Sequence, residues 1–185
     1  FEKLSGVGIY NAVDSMLAHP LNMEDWDKNI QHKDADTIKS MYPAYPMWFS
    51  TRDMARIGYL MLRNGRWKDK QITSKKWVST ITTSFTSTKE MKEFKSPYYK
   101  DGAYMRYFGY GYLWWVWDAP ENKGAYEGAY TAQGNFGQYI TVLPALDVVI
   151  AHKTKAAYDR YTSNYLTILT KLIAANNSEL SAKNK

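Results

Sequence analysis

The sequence contains no cysteine, which excludes disulfide bonds, thiolate metal ligands and a cysteine nucleophile. It also lacks any run of about eighteen consecutive apolar residues, the length that a membrane-spanning helix needs. No Gly-x-Gly-x-x-Gly segment opens a helix after a strand, and neither a P-loop motif nor a Gly-x-Ser-x-Gly nucleophile elbow is present. We therefore predict no transmembrane segment and no nucleotide-binding fingerprint.

Histidine is also scarce, with His19, His32 and His152 as its three positions. No two of them are spaced to share one helix face, and no His-Glu-x-x-His motif occurs. We expect His19 to end a helix and His152 to lie in a strand, and we predict neither a metal site nor a cofactor.

The 185 residues are 45% hydrophobic and 16% aromatic, enough to bury the core of one domain or of a large piece of one. The formal net charge is +6. Basic and aromatic residues mix in Arg66–Lys68 and Lys75–Trp77, which permits nucleic-acid binding but is more typical of a solvated basic face over buried aromatic side chains. We therefore predict no nucleic-acid partner. A carbohydrate-stacking surface stays open as an alternative.

The clearest helical pattern begins at Ser50 and ends near Arg63. Ser50, with Asp53 three positions later, makes a capping-box pattern. Asn64 and Gly65 then supply the stop, because both tolerate a positive φ. The predicted apolar stripe of this helix consists of Met54, Ile57, Met61 and Leu62.

Two more helices are expected near this one. The first follows Gly6, ends at His19-Pro20, and carries Ile9, Val13, Met16 and Leu17 at helical spacing. The second is capped by Thr73 or Ser74, and the side chains expected to face inward are those of Trp77, Val78 and Ile81. Residues 20–49 form a long irregular segment, typical of the wall or lid of a functional site. Residues 83–103 are predicted to be an exposed excursion.

From Tyr107 the pattern becomes that of strands. We predict strands over Tyr107–Trp117, Phe136–Leu143 and Val148–Lys153, with the last two antiparallel across a turn at residues 144–147. A closing helix from Asp159 has a predicted buried stripe of Tyr161, Tyr165, Ile168, Leu169, Leu172 and Ile173, and is expected to fray from Asn176. Helices, then strands, then a helix predict an α+β fold.

The segment Thr131–Pro144 carries the strongest functional signal. Gly134 and Gly137, at the head of a predicted strand, let another backbone or a substrate come close. An exposed strand edge also offers N–H groups to an extended ligand or to a developing oxyanion. A bulged edge strand without any binding role has the same pattern, so the residues alone leave both interpretations open.

This segment resembles the third motif region of the serine β-lactamase and penicillin-binding-protein superfamily, in the branch of class C β-lactamases, esterases and amide hydrolases. That branch carries a Lys-Thr-Gly or His-x-Gly triplet, then a strand and a Pro-x-x-Asp turn. Ala132-Gln133-Gly134 and the Pro144–Asp147 turn stand in those places here.

Three other regions resemble the family in its own order. Pro46–Gly58, continuing to a later Asn-Gly pair, is similar to the Gly-Gly-x-x-Ser-Thr-x-Asp-Leu-Ala-Arg-Phe helix. Phe108–Trp115 resembles the strand before the third motif. Leu4–Gly6 with Pro20–Met23 resembles the helix and the Pro-Leu-Gly-Met turn that follow the second motif.

The resemblance implies a partial β-lactamase/transpeptidase-like fold, with antiparallel strands packed by a C-terminal helix. Within this single domain, residues 1–104 would be the helical and loop part. Residues 105–176 would hold the sheet strands and the closing helix, and residues 177–185 a frayed tail.

The family's chemistry depends on a Ser-x-x-Lys motif and on Tyr-x-Asn or Ser-x-Asn, and none of these occurs in this chain. Thr73–Lys76 and Thr86–Lys89 have threonine at the right spacing, but not at the family's positions. In the family both motifs precede the helix that Leu4–Gly6 resembles. The given sequence begins at Phe1 with neither an initiator methionine nor a signal-peptide pattern. We therefore expect the C-terminal part of a serine hydrolase, inactive by itself.

Acyl transfer on a small ester, amide or peptide-like substrate is the activity that the resemblance implies. The substrate-binding and oxyanion residues would be Ala132, Gln133, Gly134 and Asn135. The backbone N–H of Asn135 would be the second oxyanion donor, and Gly134 would leave room for substrate. Because Ala132 has no charge where the family has Lys or His, we expect weak or absent β-lactamase activity and a preference for less acidic substrates.

Two alternatives remain open at this point. One is a non-catalytic module that binds peptidoglycan, a peptide or a glycan on the same fold. The other is that the N-terminal portion is a separate chain and a partner of this one. The resemblance also implies a periplasmic or cell-envelope location.

Overall fold

The structure is a computed structural model, and it describes residues 1–34, 38, 40–93, 107–134, 137–154 and 165–183. The helices are α1 (Glu2–Ser5), α2 (Ile9–Val13, continued by a π-helical turn over Asp14–Ala18), α3 (Thr51–Leu62), α4 (Lys75–Ile81), α5 (Thr88–Glu93) and α6 (Tyr165–Lys183). The strands are β1 (Arg66–Trp67), β2 (Lys70–Gln71), β3 (Gly109–Tyr110), β4 (Trp115–Val116), β5 (Tyr130–Gly134), β6 (Gln138–Leu143) and β7 (Val148–His152). The predicted α+β class is confirmed.

Five strands form one antiparallel sheet in the order β3-β4-β5-β6-β7, and β1 and β2 form a separate hairpin. β5 and β6 pair along five residues, from Tyr130 opposite Val142 to Gly134 opposite Gln138. The β6–β7 hairpin follows the predicted turn, with Leu143 opposite Val148 and Tyr139 opposite His152. The predicted antiparallel return is therefore confirmed.

Helix α3 forms as its sequence predicts. The Ser50 hydroxyl accepts a hydrogen bond from the Asp53 amide at 3.0 Å, which satisfies one of the free N–H groups of the first turn. At the other end, Asn64 and Gly65 have φ values of 53° and 81°, and the Gly65 amide donates to the Leu60 carbonyl at 2.8 Å. The helix therefore stops where two residues tolerate the left-handed conformation.

The core lies on both faces of the sheet. On one face α3 packs on β6 and β7, in a cluster formed by Met54, Met61, Val78, Trp114, Tyr130, Ile140 and Val142. On the other face α6 packs in a cluster formed by Phe108, Trp117, Ala129, Leu143, Tyr165, Leu169 and Ile173. A third cluster joins the first helices to α3 through Ala18, Leu21, Met23 and Leu60.

Two stripe predictions needed correction at particular residues. Trp77 was expected to face inward from α4, but 51% of it is exposed, while Val78 beside it is buried. Leu172 of α6 is likewise 45% exposed, whereas Tyr165, Leu169 and Ile173 are buried.

The predicted single strand over Tyr107–Trp117 is wrong. The chain instead makes a short hairpin, β3 and β4, with Leu113 at φ 64° in the connection. Glycine makes the reversal possible, because a Cβ on Gly111 would lie 2.4 Å from the Ile81 carbonyl oxygen. A Cβ on Gly109 would lie 2.6 Å from the Thr86 carbonyl oxygen, so another part of the backbone comes close to the chain at both glycines.

β5 was not predicted as a strand of its own, and α6 continues to Lys183, beyond the expected fraying point at Asn176. The expected helix start at Asp159 lies outside the described residues. Within the described part of the chain, no helix is both long and apolar enough to cross a bilayer.

Candidate functional site

A cleft of about 520 Å³ opens at the end of β5. It lies between that strand, the start of α3 and the segment that precedes α3. The described residues that line it are Met47, Trp48, Phe49, Met54, Leu113, Ala132, Gln133, Gly134, Gln138, Ile140, Lys153 and Thr154. The long irregular segment predicted at residues 20–49 thus contributes a wall of the cleft through its last three residues.

The strand edge beside this cleft is open. β4 pairs with β5 only at Tyr130 and Thr131, whereas β6 pairs with β5 as far as Gly134. In the described part of the chain, Ala132–Gly134 therefore have a strand neighbour on one side only. Because successive residues of a strand direct their N–H groups to opposite edges, at least one of these three amides faces the open side.

Three of the four predicted site residues line this cleft. Ala132, Gln133 and Gly134 come together there as consecutive residues of β5. Asn135, whose amide was predicted to be the second oxyanion donor, lies outside the described residues. Its role stays a prediction.

The strand partner of Gly134 is Gln138, and its side chain leaves no room for a Cβ at position 134. A Cβ at this position would lie 2.5 Å from Oε1 of Gln138 and 3.1 Å from its Cβ. The side chain of Gln138 therefore occupies the space that the sequence assigned to a substrate. Any larger residue at 134 would have to displace that amide, so the glycine shapes the cleft by letting Gln138 lie across the strand.

Gln133 lines the cleft through its place in β5, while its side chain is directed to the opposite face of the sheet, which it shares with Thr131 and Tyr139. Its Nε2 is buried and has no hydrogen-bond partner among the described residues. A buried donor left without a partner costs about 1–3 kcal/mol.

Lys153 brings a donor to the cleft, and it follows directly after β7. Its ammonium group donates a 2.8 Å hydrogen bond to the Phe49 carbonyl and so fastens the end of the loop wall to the sheet. Lys153 is exposed, and it is the one residue with a formal charge among the described lining residues.

The loop wall is held from behind by Gln31, which is buried. Its Oε1 accepts from the Trp48 amide at 2.9 Å, and its Nε2 donates to the Asp27 carbonyl at the same distance. Trp48 is thereby fixed at the mouth of the cleft with 56% of its surface exposed. Leu113, 80% exposed, lines the cleft as well.

An ionic contact fixes the start of α3 beside this wall. The Asp25 carboxylate accepts hydrogen bonds from the Arg52 guanidinium at 2.6 and 3.0 Å and from the Ser50 hydroxyl at 2.7 Å. The Arg52 guanidinium, followed by that hydroxyl, lowers the pKa of Asp25. The same hydroxyl caps α3, so the loop and the helix start share one anchor.

Among the described lining residues, Lys153 is the one side chain able to transfer a proton at an ordinary pH. The described lining residues include no Ser, Tyr, His, Asp or Glu. No three His, Asp or Glu side chains are grouped to hold a metal ion in the part of the chain that the structure describes. What the cleft offers is hydrogen-bond donors on one side and apolar surface on the other.

Sequence reasoning missed Lys153, although a signal for it existed. The turn at residues 144–147 sets Leu143 opposite Val148, and the same register continued by five residues puts Lys153 opposite Gln138. Gln138 is in turn opposite Gly134. Counting back from the predicted turn would therefore have brought this lysine to the predicted site.

No protein-family model and no curated protein sequence matches the chain. Two of the solved structures that are similar to it come from bacteria. One is a Bacillus anthracis protein assigned as a 6-aminohexanoate-dimer hydrolase, with 24% identity and a TM-score of 0.47 over 73% of this chain. The other is a Bacteroides dorei DSM 17855 protein assigned as a β-lactamase, with 16% identity and a TM-score of 0.50 over 86% of this chain.

The likeness to the second structure is one of fold. With its five-stranded antiparallel sheet and closing helix, the chain has a partial β-lactamase-like fold, as the sequence predicted. The match covers 30% of the Bacillus protein and 47% of the Bacteroides protein, so this chain corresponds to less than half of either.

Proposed function

We propose that this chain is the C-terminal portion of a serine hydrolase that acts on small ester, amide or peptide-like substrates through an acyl-enzyme. The observation that carries the proposal is the cleft at the end of β5, where Ala132–Gly134 have a strand neighbour on one side only among the described residues. The order of the motif-like segments and the β-lactamase-like fold support it.

In this proposal the reactive serine, lysine and tyrosine lie upstream of Leu4–Gly6 in the whole protein. The serine hydroxyl attacks the carbonyl, the leaving group departs, and water then hydrolyses the acyl-serine ester. The described residues bind and orient the substrate at the strand edge. The backbone N–H of Asn135 stabilises the oxyanion, and losing such a donor costs about 2.7–4 kcal/mol of transition-state stabilisation.

Covalent labelling tests the proposal directly. The product of the whole reading frame that encodes this chain would be treated with a fluorophosphonate probe, beside the 185-residue chain alone. We expect a single labelled serine in a Ser-x-x-Lys motif outside these 185 residues, and no label on the chain alone. A reading frame without that motif, or a label on one of the chain's own serines, would contradict the proposal and favour a non-catalytic binding module.

Substrate preference gives a second measurement. Because Ala132 provides no cation at the third-motif position, the whole product should hydrolyse a short-chain nitrophenyl ester much faster than a chromogenic cephalosporin. Replacing Ala132 with lysine should raise cephalosporin turnover relative to the ester. Efficient cephalosporin turnover by the unaltered protein would rule this preference out.

A further inference from the structure

Three aromatic rings from separate parts of the chain form a row on the surface. Trp77 belongs to α4, Phe85 to the segment after that helix, and Tyr112 to the connection between β3 and β4. The rings of Phe85 and Tyr112 stack with their centroids 4.7 Å apart, and the Trp77 ring lies 6.3 Å from the Tyr112 ring. Each of the three residues is about half exposed. We call this row the aromatic platform.

The backbone beneath the aromatic platform is fixed by hydrogen bonds between segments. The Tyr112 amide donates to the Ile81 carbonyl at 2.9 Å, and the Phe85 amide donates to the Tyr110 carbonyl at 3.0 Å. These bonds hold the hairpin of β3 and β4 against the end of α4 and the segment after it. The rings are therefore positioned before any ligand arrives, which reduces the entropy cost of binding.

The two polar groups of the aromatic platform are unused. Among the described residues, neither the Trp77 indole N–H nor the Tyr112 hydroxyl has a hydrogen-bond partner. Ring faces beside free polar groups suit a ligand that is apolar on one side and rich in hydroxyls on the other. A pyranose sugar has this chemistry, because its C–H groups pack on a ring face while its hydroxyls form hydrogen bonds.

The charge beside Trp77 is positive. Lys75 and Lys76 precede it in α4, both are exposed, and neither forms an ion pair in the described part of the chain. Successive helical residues lie about 100° apart around the axis, so Lys76 and Val78 are on opposite sides of Trp77. Val78 is buried, which puts Lys76 on the solvent side. A sugar that carries a carboxylate therefore matches both the rings and the lysines.

Other ligands of aromatic surfaces fit this site less well. A quaternary ammonium group would be repelled by the lysines beside Trp77. A nucleobase inserted between rings would have to separate Phe85 from Tyr112, which already stack on each other. The third exposed ring is tilted by 54° from that of Tyr112, so it forms no second parallel slot.

We propose that the aromatic platform binds acidic polysaccharides, with sugar rings packed on Trp77 and Tyr112 and a sugar carboxylate paired with Lys76. The exposure of Trp77 is what favours the carbohydrate-stacking surface that the sequence left open. The site goes beyond the proposed hydrolase, because no residue of the platform lines the cleft. Binding there would hold the protein on a polysaccharide while the cleft stays free.

Isothermal titration calorimetry on the product of the whole reading frame that encodes this chain tests the proposal. The probes are cellohexaose, which is neutral, and the β-1,4-linked hexasaccharide of glucuronic acid, which has the same linkage but a carboxylate on every ring. We expect both to bind, and the acidic probe to bind about threefold more tightly, as one exposed charge pair permits. About 0.5 M NaCl should remove this difference.

Variants assign the binding to the rings. Trp77→Ala and Tyr112→Ala should each weaken both probes about tenfold, the usual effect of removing a stacked ring. Trp48→Ala is the matched control, because this tryptophan is equally exposed but lies at the cleft. It should bind both probes as the unaltered protein does.

A second pair of variants assigns the preference for the acidic probe. The double variant Lys75→Gln with Lys76→Gln should bind the two probes equally and keep the affinity for the neutral one. Lys171→Gln, which removes an exposed lysine of α6 on the other side of the sheet, should keep the preference.

Four outcomes would overturn the proposal. They are no binding of either sugar, undiminished binding by Trp77→Ala, an equal loss in Trp48→Ala, and tighter binding of decaproline or of an oligothymidylate than of the acidic probe. The last result would identify a peptide or nucleic-acid surface instead. Circular dichroism checks that each variant is folded, and if Trp77→Ala is not, Tyr112→Ala and the lysine variants still decide. None of these measurements depends on the labelling test of the proposed hydrolase.

Discussion

Gly58 lies where α3 crosses β6 and β7. A Cβ at this position would lie 2.4 Å from Cγ1 of Val149 and 2.8 Å from Cγ2 of Ile140. Alanine is the better helix former by about 1 kcal/mol, but in this place its methyl group would have to push the helix away from the sheet. The glycine sets the distance between α3 and the sheet, and with it the height of the cleft beside Met54.

Gly58→Ala should therefore destabilise the protein by about 1–3 kcal/mol, the usual cost of overpacking a core. Urea unfolding followed by circular dichroism measures this change. Gly8→Ala is the matched control, because its nearest atoms lie 3.6 and 3.8 Å from the built Cβ, an ordinary contact. A Gly58→Ala variant as stable as the control would show that the helix has room to move.

Tyr165 belongs to a buried polar network. The indole N–H of Trp117 donates to the Thr131 hydroxyl at 2.9 Å, this hydroxyl lies 2.9 Å from that of Thr141, and the Thr141 hydroxyl is hydrogen-bonded to the Tyr165 phenol. The network joins α6 to β5, to β6 and to the residue that follows β4, and Thr131 is the residue directly before the cleft segment of β5. Burial raises the pKa of Tyr165 to about 12.

That raised pKa predicts alkaline destabilisation. The folded protein holds the phenolic proton more strongly than the unfolded chain, whose tyrosine pKa is 10.0. The contribution is therefore complete below pH 10 and is lost as the pH rises towards about 12. The Tyr165→Phe variant should lose less stability across this range than the unaltered chain. Some loss should remain in the variant, because burial also raises the pKa of Tyr130. Urea unfolding at pH 9 and at about pH 11.5 measures this difference. If the free energy of unfolding fell by the same amount in the variant and in the unaltered chain, the assignment to Tyr165 would be wrong.

At the scale of elements, one ion pair joins the end of α3 to the β6–β7 turn. The Arg63 guanidinium donates to both carboxylate oxygens of Asp147 at 2.6 and 2.9 Å, across 84 positions of sequence. Asp147 adopts a φ of 55°, which aspartate tolerates better than most residues. Both side chains are exposed, so the contact mainly fixes geometry: it ties the turn that sets the register of Lys153 to the helix that bounds the cleft.

We expect the contribution of this ion pair to the free energy of unfolding to be lost in acid. The Arg63 guanidinium lowers the pKa of Asp147, so the stabilisation is present above the ordinary value of 3.8 and is lost as the pH falls through the folded value. Asp147→Asn keeps a side chain suited to the backbone but removes the charge. The variant should be less stable than the unaltered chain at pH 7 and equally stable near pH 2. A constant difference in urea midpoint across that range would exclude the ion pair as its cause.

For the molecule as a whole, the sheet separates two packed layers. Ile140 belongs to the cluster beneath α3, and Ile173 belongs to the cluster beneath α6 on the opposite face. Side chains on the two faces of a sheet do not share neighbours, so their contributions should be independent. The sheet then carries two layers that stabilise it separately while both fix the position of β5.

Ile140→Val and Ile173→Val should each cost about 0.5–1.5 kcal/mol. The double variant should cost the sum to within about 0.5 kcal/mol. Denaturant unfolding of the two single variants and the double variant tests this additivity. A coupling energy above about 1 kcal/mol would mean that the layers communicate through the strand backbone.

Local signals accounted for much of the fold. The start of α3 is set by the Ser50 cap, and its end is set by the positive φ values of Asn64 and Gly65. Both signals depend on neighbours only a few positions away in the chain. The turn at residues 144–147 likewise set the β6–β7 pairing. The hairpin of β3 and β4 was missed because its apolar residues run on both sides of Leu113, and nothing in their spacing marks a reversal that depends on contacts with Ile81.

What the sequence by itself determined is the class of fold and the ends of α3, because both rest on short-range patterning. The segment at which the cleft opens was indicated by the family resemblance, and its strand β5 was not predicted. Only the tertiary structure decided what the cleft contains. It brought Lys153 to the same cleft as Ala132, filled the space over Gly134 with Gln138, and set Trp48 and Leu113 at the cleft. These contacts join residues far apart in the chain, and their positions follow from how α3, the loop before it and the sheet pack together.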